Sequence, residues 1–433
     1  MQIIKTIEDV RSYQLCTGCG ICAELEGERY EMEDVAAEGL RPRLKQAASE
    51  ATGAAFRACP GAHLQHEFDL RDSNLDTELR TAWGPVYEVL EGHASDEEIR
   101  FSASSGGAIS ALALYCLEQE NMAGVLHTAA DPGQPYRNRT VFSRDRAGLL
   151  AASGSRYAPS SPCAELGQIR EADGQCVFIG KPCDVAAVQA AQKVSPRLRK
   201  NLGVSIAIFC AGVPSTNASL QLAAMQGADT PESIRALRYR GNGWPGVWSL
   251  EYMARETQAE NADLNSSEVV EPGLQRRTMT YADSWDYLQR HRQWRCYICP
   301  DHTGEFADIA VGDPWYREIS PGESGSSLIV IRTRRGREIV EGAIATGYLK
   351  ITARDASLLP RSQPNLLAAR GSLWARLHIL RLFGAAAPNY SGFILFPFWW
   401  RELNLVDKLR SVFGTVKRIY RKRLRLPING RPG

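Results

Sequence analysis

Gln175-Cys176-Val177-Phe178-Ile179, then Gly180-Lys181-Pro182-Cys183-Asp184, then Val185-Ala186-Ala187-Val188-Gln189-Ala190-Ala191, reads as a β-branched run, a turn and a helix. Strand, turn and helix in that order are the repeating unit of an α/β fold. The unit recurs where Val204-Ser205-Ile206-Ala207-Ile208-Phe209 runs into Cys210-Ala211-Gly212-Val213-Pro214-Ser215-Thr216-Asn217 and a second helical stretch. Further along, Asp308-Ile309-Ala310-Val311 leads to Gly312-Asp313-Pro314-Trp315. Ser327-Leu328-Ile329-Val330-Ile331 leads through Thr333-Arg334-Arg335-Gly336 to a helical stretch from about Arg337 to Thr346. These four units predict a mixed or parallel α/β body over about 85–350, with ligands gathering beyond the C-terminal ends of its strands. Residues 254–278 are polar and read as an excursion rather than core.

Outward from this body the composition changes. Residues 1–70 are cysteine-rich and lack long apolar periodic runs, which suits a small domain organised around a metal. Residues 71–90 read as a connector, and 365–433 as a helical basic extension. The formal charge of +2 hides an asymmetry: residues 401–433 hold ten Lys or Arg against Glu402 and Asp407, leaving 41 basic and 47 acidic side chains before them. The acidic pair Glu8-Asp9 stands where an export signal would have its apolar core, and no run approaches the roughly twenty apolar residues that span a bilayer. Eleven cysteines, an odd number with tight Cys-x-x-Cys spacings, argue for metal or redox chemistry in the cytoplasm rather than a disulfide framework.

Cys16-Thr17-Gly18-Cys19-Gly20-Ile21-Cys22 places three thiols in one tight loop, with Gly18 and Gly20 permitting its turns. Cys59-Pro60 supplies a fourth thiol, and a proline directly after a remote cysteine is the ending of the bacterial ferredoxin-type run. The pattern favours a four-iron four-sulfur cluster over the paired Cys-x-x-Cys arms of a zinc ribbon. Cys183 and Cys210 both fall where a strand ends, and Cys296-Tyr297-Ile298-Cys299 could complete a second site with them. Spacing alone leaves other readings of this set open: Cys183 as a lone reactive thiol, Cys296 and Cys299 as a redox pair or zinc half-site. Cys116 and Cys176 sit in a helix and a strand pattern and read as inert; Cys163 is undecided.

Phe101-Ser102-Ala103-Ser104-Ser105-Gly106-Gly107 precedes a strong helix pattern from Ala108 to Leu117. Its glycines and the helix N-terminus suit a phosphate, although a simple capped helix explains the same residues.

Ser104-Ser105-Gly106-Gly107, Gly154-Ser155-Arg156-Tyr157, Gly180-Lys181-Pro182-Cys183-Asp184, Cys210-Ala211-Gly212-Val213-Pro214, Cys296-Tyr297-Ile298-Cys299 and Gly312-Asp313 together resemble, in order, the coenzyme F-420 hydrogenase/dehydrogenase beta-subunit family. The resemblance covers about residues 12–345. It implies a ferredoxin-like part at 1–70, the family's N-terminal domain at 85–165 and its C-terminal α/β domain at 170–350. It also implies FAD and two four-iron four-sulfur clusters, the first on Cys16, Cys19, Cys22 and Cys59, the second on Cys183, Cys210, Cys296 and Cys299. Ser104, Ser105, Gly106, Gly107, Arg156, Tyr157, Lys181 and Asp184 become candidates for holding FAD. The loop Arg240-Gly241-Asn242-Gly243-Trp244-Pro245-Gly246 looks like the family's glycine-rich loop, which makes Asn242, Gly243 and Trp244 further candidates. A tight turn with a packed indole is the alternative.

The expected function is an iron–sulfur flavoprotein oxidoreductase that passes electrons between a donor, either ferredoxin or another redox protein or a deazaflavin, the four-iron four-sulfur clusters, FAD and a small-molecule organic acceptor. A beta subunit exchanging hydride between FAD and coenzyme F-420 for a separate enzyme is the alternative within the same chemistry. A zinc-bound structural or assembly protein is the alternative of another class. In the extension, Leu405, Leu409, Val412, Phe413, Val416, Ile419 and Tyr420 recur at helical spacing among basic residues. Residues 393–426 therefore read either as contacting an anionic membrane surface or as packing on the body or on a partner; an oligomer is a separate expectation. Nucleic acid ranks last, since no recognition fold accompanies the charge.

Overall fold

The computed structural model describes residues 2–45, 49–67, 72–254, 273–320 and 322–428. Its centre is an eight-stranded mixed sheet. Four parallel strands lie side by side in chain order: β5 (Gly124–Ala130), β7 (Cys176–Gly180), β8 (Leu202–Ile208) and β12 (Ile309–Gly312). Antiparallel strands extend both edges. β6 (Asn138–Ser143) pairs with β5, while β13 (Ser327–Ile331), β4 (Glu88–Ala94) and β14 (Leu349–Arg354) follow β12. The strands expected at 175–179, 204–209, 308–311 and 327–331 thus belong to one sheet, and strands from 85–165 and from 170–350 are interleaved in it.

Both faces of the sheet are covered, so its central strands are continuous apolar runs rather than alternating ones. Successive residues still point to opposite sides: Cys176 and Phe178 pack with the helix α5 (Pro182–Gln192), while Val177 packs with α4 (Ala108–Glu118) and α8 (Arg334–Ala345). A second, three-stranded antiparallel sheet of β9 (Ile234–Arg238), β10 (Val247–Met253) and β11 (Leu274–Thr280) stands beside the body. With α6 (Thr216–Met225) and α7 (Tyr281–Gln289) it encloses a core around Tyr239, Trp248, Leu250 and Leu288. Part of the expected polar excursion is therefore strand. Leu274–Thr280 lies at the sheet edge with most side chains toward solvent, which is why its sequence looks like a loop; the rest of that excursion, 255–272, lies outside the described residues.

The N-terminal region holds α1 (Ile7–Ser12), α2 (Ile21–Leu25), a hairpin of β1 (Tyr30–Val35) and β2 (Gly39–Leu44), α3 (Ala54–Arg57) and β3 (His63–Gln65). Thr6 starts α1 with a capping box, its hydroxyl accepting from the Asp9 N–H while the Asp9 carboxylate accepts from the Thr6 N–H. The hairpin fills the long spacer between Cys22 and Cys59. The C-terminal extension folds back onto this region: β15 (Asn389–Ser391) pairs in parallel with β3, and α9 (Leu373–Leu382) and α11 (Leu405–Arg421) share its core. That core joins Ile7, Val10, Leu15 and Cys59 to Trp294, Ile298, Leu377 and Ile419. Among the described residues no helix is long and apolar enough to cross a membrane.

Candidate functional site

The cleft follows from the parallel strands. Each of β7, β8 and β12 ends by releasing a chemically loaded turn at the same edge: Lys181-Pro182-Cys183-Asp184, Cys210 and Asp313. β13 runs antiparallel to β12, so its first residue, Ser327, arrives there as well. The resulting cavity has a volume of about 310 Å³, with Ser104, Ser105, Gly107, Tyr157, Lys181 and Asp184 in its wall.

The Ser-Ser-Gly-Gly turn is built by close packing. Ser105 Oγ donates to the Ser326 carbonyl at 2.7 Å, and the Gly106 N–H donates to Ser327 Oγ at 2.9 Å. A Cβ on Gly106 would stand 2.7 Å from the Ser327 nitrogen, so only glycine fits. Gly107 takes φ +76° as the N-cap of α4, whose first turn faces the cavity. No side chain caps that turn, which leaves backbone N–H groups and the positive end of the helix dipole toward the space.

Across the cavity Lys181 Nζ sits 2.7 Å from Asp184 Oδ2 and donates to Ser160 Oγ at 2.7 Å. Burial pushes the Asp184 carboxyl up, and its carboxylate in turn holds the Lys181 ammonium above its ordinary range against the same burial. Asp184 Oδ1 is buried with no hydrogen-bond partner in the protein. His127, also in the wall, donates to or accepts from Ser143 Oγ at 2.8 Å, and burial lowers its pKa to about 4.

A second buried ion pair closes the far side. Arg240 grips Asp313 with both terminal nitrogens, at 2.9 and 2.8 Å, and also donates to the carbonyl of Ser104 in the glycine turn. Trp244 Nε1 donates to the same carboxylate at 3.0 Å, and Gln363 Nε2 to the Asp313 carbonyl at 2.7 Å. Tyr281 and Trp315 stack at 5.8 Å with the Arg240 guanidinium over both rings, and with Trp285 they give the cavity an aromatic wall. Planar aromatic surface, a phosphate-ready helix start and an orphan buried acceptor are a fit for a dinucleotide flavin.

Of the sequence candidates, Ser104, Ser105, Gly107, Arg156, Tyr157, Lys181 and Asp184 line the cavity; Gly106 supports it from behind. The guanidinium of Arg156 is turned away: it is spent on Asn138 and on the carbonyls of Pro135, Arg137 and Leu237, tying β6 to β9. Asn242, Gly243 and Trp244 lie outside the wall, and Trp244 acts through Asp313. Sequence reasoning passed over Tyr281, Trp285 and Gln363, which carry no local signature; Arg240 was visible only as the first residue of the glycine loop.

None of the eleven cysteines is joined in a disulfide. Cys16, Cys22 and Cys59 share one apolar core, and the neighbouring thiols Cys16, Cys19 and Cys59 add to burial in pushing the Cys22 thiol well up. Gly18 and Gly20 adopt φ +75° and +90°, and the Gly18 N–H points at Cys16 Sγ at 3.4 Å. In the second set, β7 and β8 are neighbours, so Cys183 and Cys210 do converge. Cys296 and Cys299 are brought beside them by a 3₁₀ turn, Trp294–Ile298. Burial, then Cys296, raises the Cys210 thiol to about 12; burial, then Asp184, pushes the Cys183 thiol well up, with Cys210 and Cys299 adding to it. The Val213 N–H donates to Cys296 Sγ at 3.4 Å. Cys210 itself lines the cavity. Among the described residues no three His, Cys, Asp or Glu side chains crowd closely enough to share one metal ion. The undecided Cys163 packs against Cys19 and donates to the Asp184 carbonyl at 3.4 Å, between the first set and the cavity.

Residues 89–166 match the model of the N-terminal part of the coenzyme F420 hydrogenase/dehydrogenase beta subunit, and 173–357 match the model of its C-terminal part. The chain is 23% identical over 285 residues to the coenzyme F420 hydrogenase subunit beta of Methanosarcina barkeri, covering 62% of this chain and 82% of that one. It is 25% identical over 272 residues to the corresponding protein of Methanococcus voltae, covering 62% and 85%. It is 25% identical over 259 residues to the F420-dependent formate dehydrogenase subunit beta of Methanocaldococcus jannaschii, covering 60% of each. A chain of the F420-reducing [NiFe] hydrogenase complex from Methanosarcina barkeri shares the fold, with a TM-score of 0.51 and 20% identity over 72% of this chain and 96% of that one.

Proposed function

This chain belongs to the coenzyme F420 hydrogenase/dehydrogenase beta-subunit family, and from that premise we propose that it is an iron–sulfur flavoprotein oxidoreductase passing electrons from ferredoxin or another redox protein to a small organic acceptor. The observation that carries the reading is the convergence of Cys183, Cys210, Cys296 and Cys299 on the edge of a cavity suited to FAD. Cys16, Cys19, Cys22 and Cys59 would hold a first four-iron four-sulfur cluster and this set a second. Three cysteines in series followed by a remote Cys-Pro favour such a cluster over zinc for the first set, since zinc ribbons pair two Cys-x-x-Cys arms. When bound, the clusters supply one-electron transfer and FAD supplies two-electron or hydride chemistry.

The protein's own work is positioning. The first turn of α4 and the Ser104–Gly107 backbone would receive the phosphates, Asp184 Oδ1 would accept from the ligand, and Lys181 would hold that carboxylate in place. The Arg240–Asp313 pair ties the glycine turn to the end of β12, so both walls keep one geometry. Tyr281, Trp285 and Trp315 exclude water from the space. Anaerobic purification with iron, sulfide, zinc and flavin assays tests this: about eight irons and one FAD per chain are expected, and zinc without flavin would overturn it.

A second reading, a beta subunit that exchanges hydride between FAD and coenzyme F420 for a separate enzyme, is favoured by the relatives, which are named as subunits of F420 hydrogenases and of an F420-dependent formate dehydrogenase. Copurification with a large redox subunit, and reduction of F420 by the isolated pair, would decide for it.

A further inference from the structure

Helix α11 (Leu405–Arg421) is amphipathic in the reverse of the usual sense. The side it buries against the body is small and polar: Ser411 and Thr415, with Ile419. Leu405, Val406, Leu409, Phe413 and Tyr420 instead stand out in solvent, Phe413 with 66% of its surface exposed. At about 100° per residue these five fall on one stripe, and Lys417, Arg410 and Arg421 run along its outer border. A soluble surface helix ordinarily does the opposite.

The preceding helix α10 (Phe396–Glu402) adds Phe396 and Trp400, one turn apart and both exposed. Lys408 joins the two helices, its ammonium 5.0 Å from the Trp400 ring and donating to the Trp400 carbonyl at 2.6 Å. The result is a continuous aromatic and aliphatic face with a basic rim. Residues 396–428 carry nine Lys or Arg against two acidic side chains. Exposed large apolar side chains gathered on adjacent helices and bordered by charge mark an interaction surface.

We infer that the exposed face of α10 and α11 docks this protein, in the plane of the bilayer surface, onto an anionic lipid membrane. Charge complementarity selects that occupant. A two-fold contact with a second copy would bring two strongly basic rims together, whereas anionic headgroups neutralise the rim, each basic side chain near such a surface adding roughly five-fold to binding. Tryptophan and tyrosine beside a lysine and arginine border are the composition of the membrane interface. Because α11 shares the core of Cys16, Cys22 and Cys59, docking would hold the first cysteine set at a set height above the lipid.

The test uses the full-length chain, purified without oxygen, in flotation with vesicles of phosphatidylcholine alone or enriched in phosphatidylglycerol. Binding is expected only to the second kind. The pair Leu409→Ser/Phe413→Ser and the pair Lys417→Glu/Arg421→Glu should each weaken it by about ten-fold or more. Both pairs alter exposed side chains, and melting curves check that they fold; Trp400→Ser, on the other helix, gives an independent third reading. Absence of the wild-type chain from the anionic vesicles overturns the inference, as does binding undiminished by Leu409→Ser/Phe413→Ser and Trp400→Ser. A wild-type dimer that these same substitutions return to monomer, with no vesicle binding, would assign the face to a second copy instead.

Discussion

The guanidinium of Arg295 donates at 2.8 Å to the carbonyl oxygen of Pro60. Pro60 follows the last thiol of the first cysteine set and Arg295 precedes the third thiol of the second, so one hydrogen bond between buried groups spans the two sets. The same side chain donates to the Ile298 carbonyl at 3.2 Å and lies over the Tyr390 ring.

Replacing Arg295 by Leu strands the buried Pro60 carbonyl, while the Ile298 carbonyl keeps the Tyr390 hydroxyl as donor, and removes that tie at a cost of about 1–3 kcal/mol. A melting temperature lowered by several degrees together with reduced iron content is the expected outcome; Arg295→Lys should restore part of both. Unchanged stability and iron in Arg295→Leu would show that the two sets are held independently.

Each cysteine set should lose its iron separately. Cys16→Ala is expected to halve iron and acid-labile sulfide while leaving flavin bound, because its set lies away from the cavity. Cys210→Ala should halve iron and also disturb the flavin spectrum, since Cys210 lines the cavity. Equal effects of the two substitutions on flavin would contradict the separation.

Lys181→Met removes the cation from a buried carboxylate that already has one unpaired oxygen. The expected loss is about 3–5 kcal/mol of stability, together with weaker FAD retention on gel filtration. The double replacement Lys181→Met/Asp184→Leu should recover stability without recovering FAD, which separates the structural role of the pair from its role toward the ligand.

His127 gives a pH signature. Its folded pKa is lowered to about 4 from an ordinary 6.5 because the ring is buried. Between those values the unfolded chain binds a proton that the native protein does not. Stability is therefore undiminished above pH 6.5 and falls as pH drops toward 4, by about 3 kcal/mol in all. Urea titrations of wild type and His127→Gln across pH 4–7 should show a shallower decline in the variant; parallel curves would refute the assignment.

Much of the fold was readable because its signals are local. The strand–turn–helix units at 175–191 and 204–217 needed only periodicity, and the placement of Cys183 and Cys210 at strand ends followed from them; that the two strands are neighbours is a matter of sheet pairing. The Ser104–Gly107 turn was readable for the same reason. Arg156 was not: its sequence neighbourhood pointed to the cavity, and only the carbonyls of residues far along the chain show where its guanidinium goes. Arg240 and Asp313 are 73 positions apart, and nothing within either segment announces the other.

The sequence by itself determined which residues turn, where the apolar runs lie and that Cys16, Cys19 and Cys22 fall in one tight loop, because those properties depend on backbone sterics and on contacts within a few residues. Tertiary structure alone decided that β4 enters between β13 and β14, that Arg295 meets Pro60, and that the C-terminal extension buries Ser411 and Thr415 while leaving Phe413 and Trp400 in solvent. Those outcomes are set by the packing of distant surfaces against one another, where each face's partner is chosen by shape and by the burial available in the whole molecule.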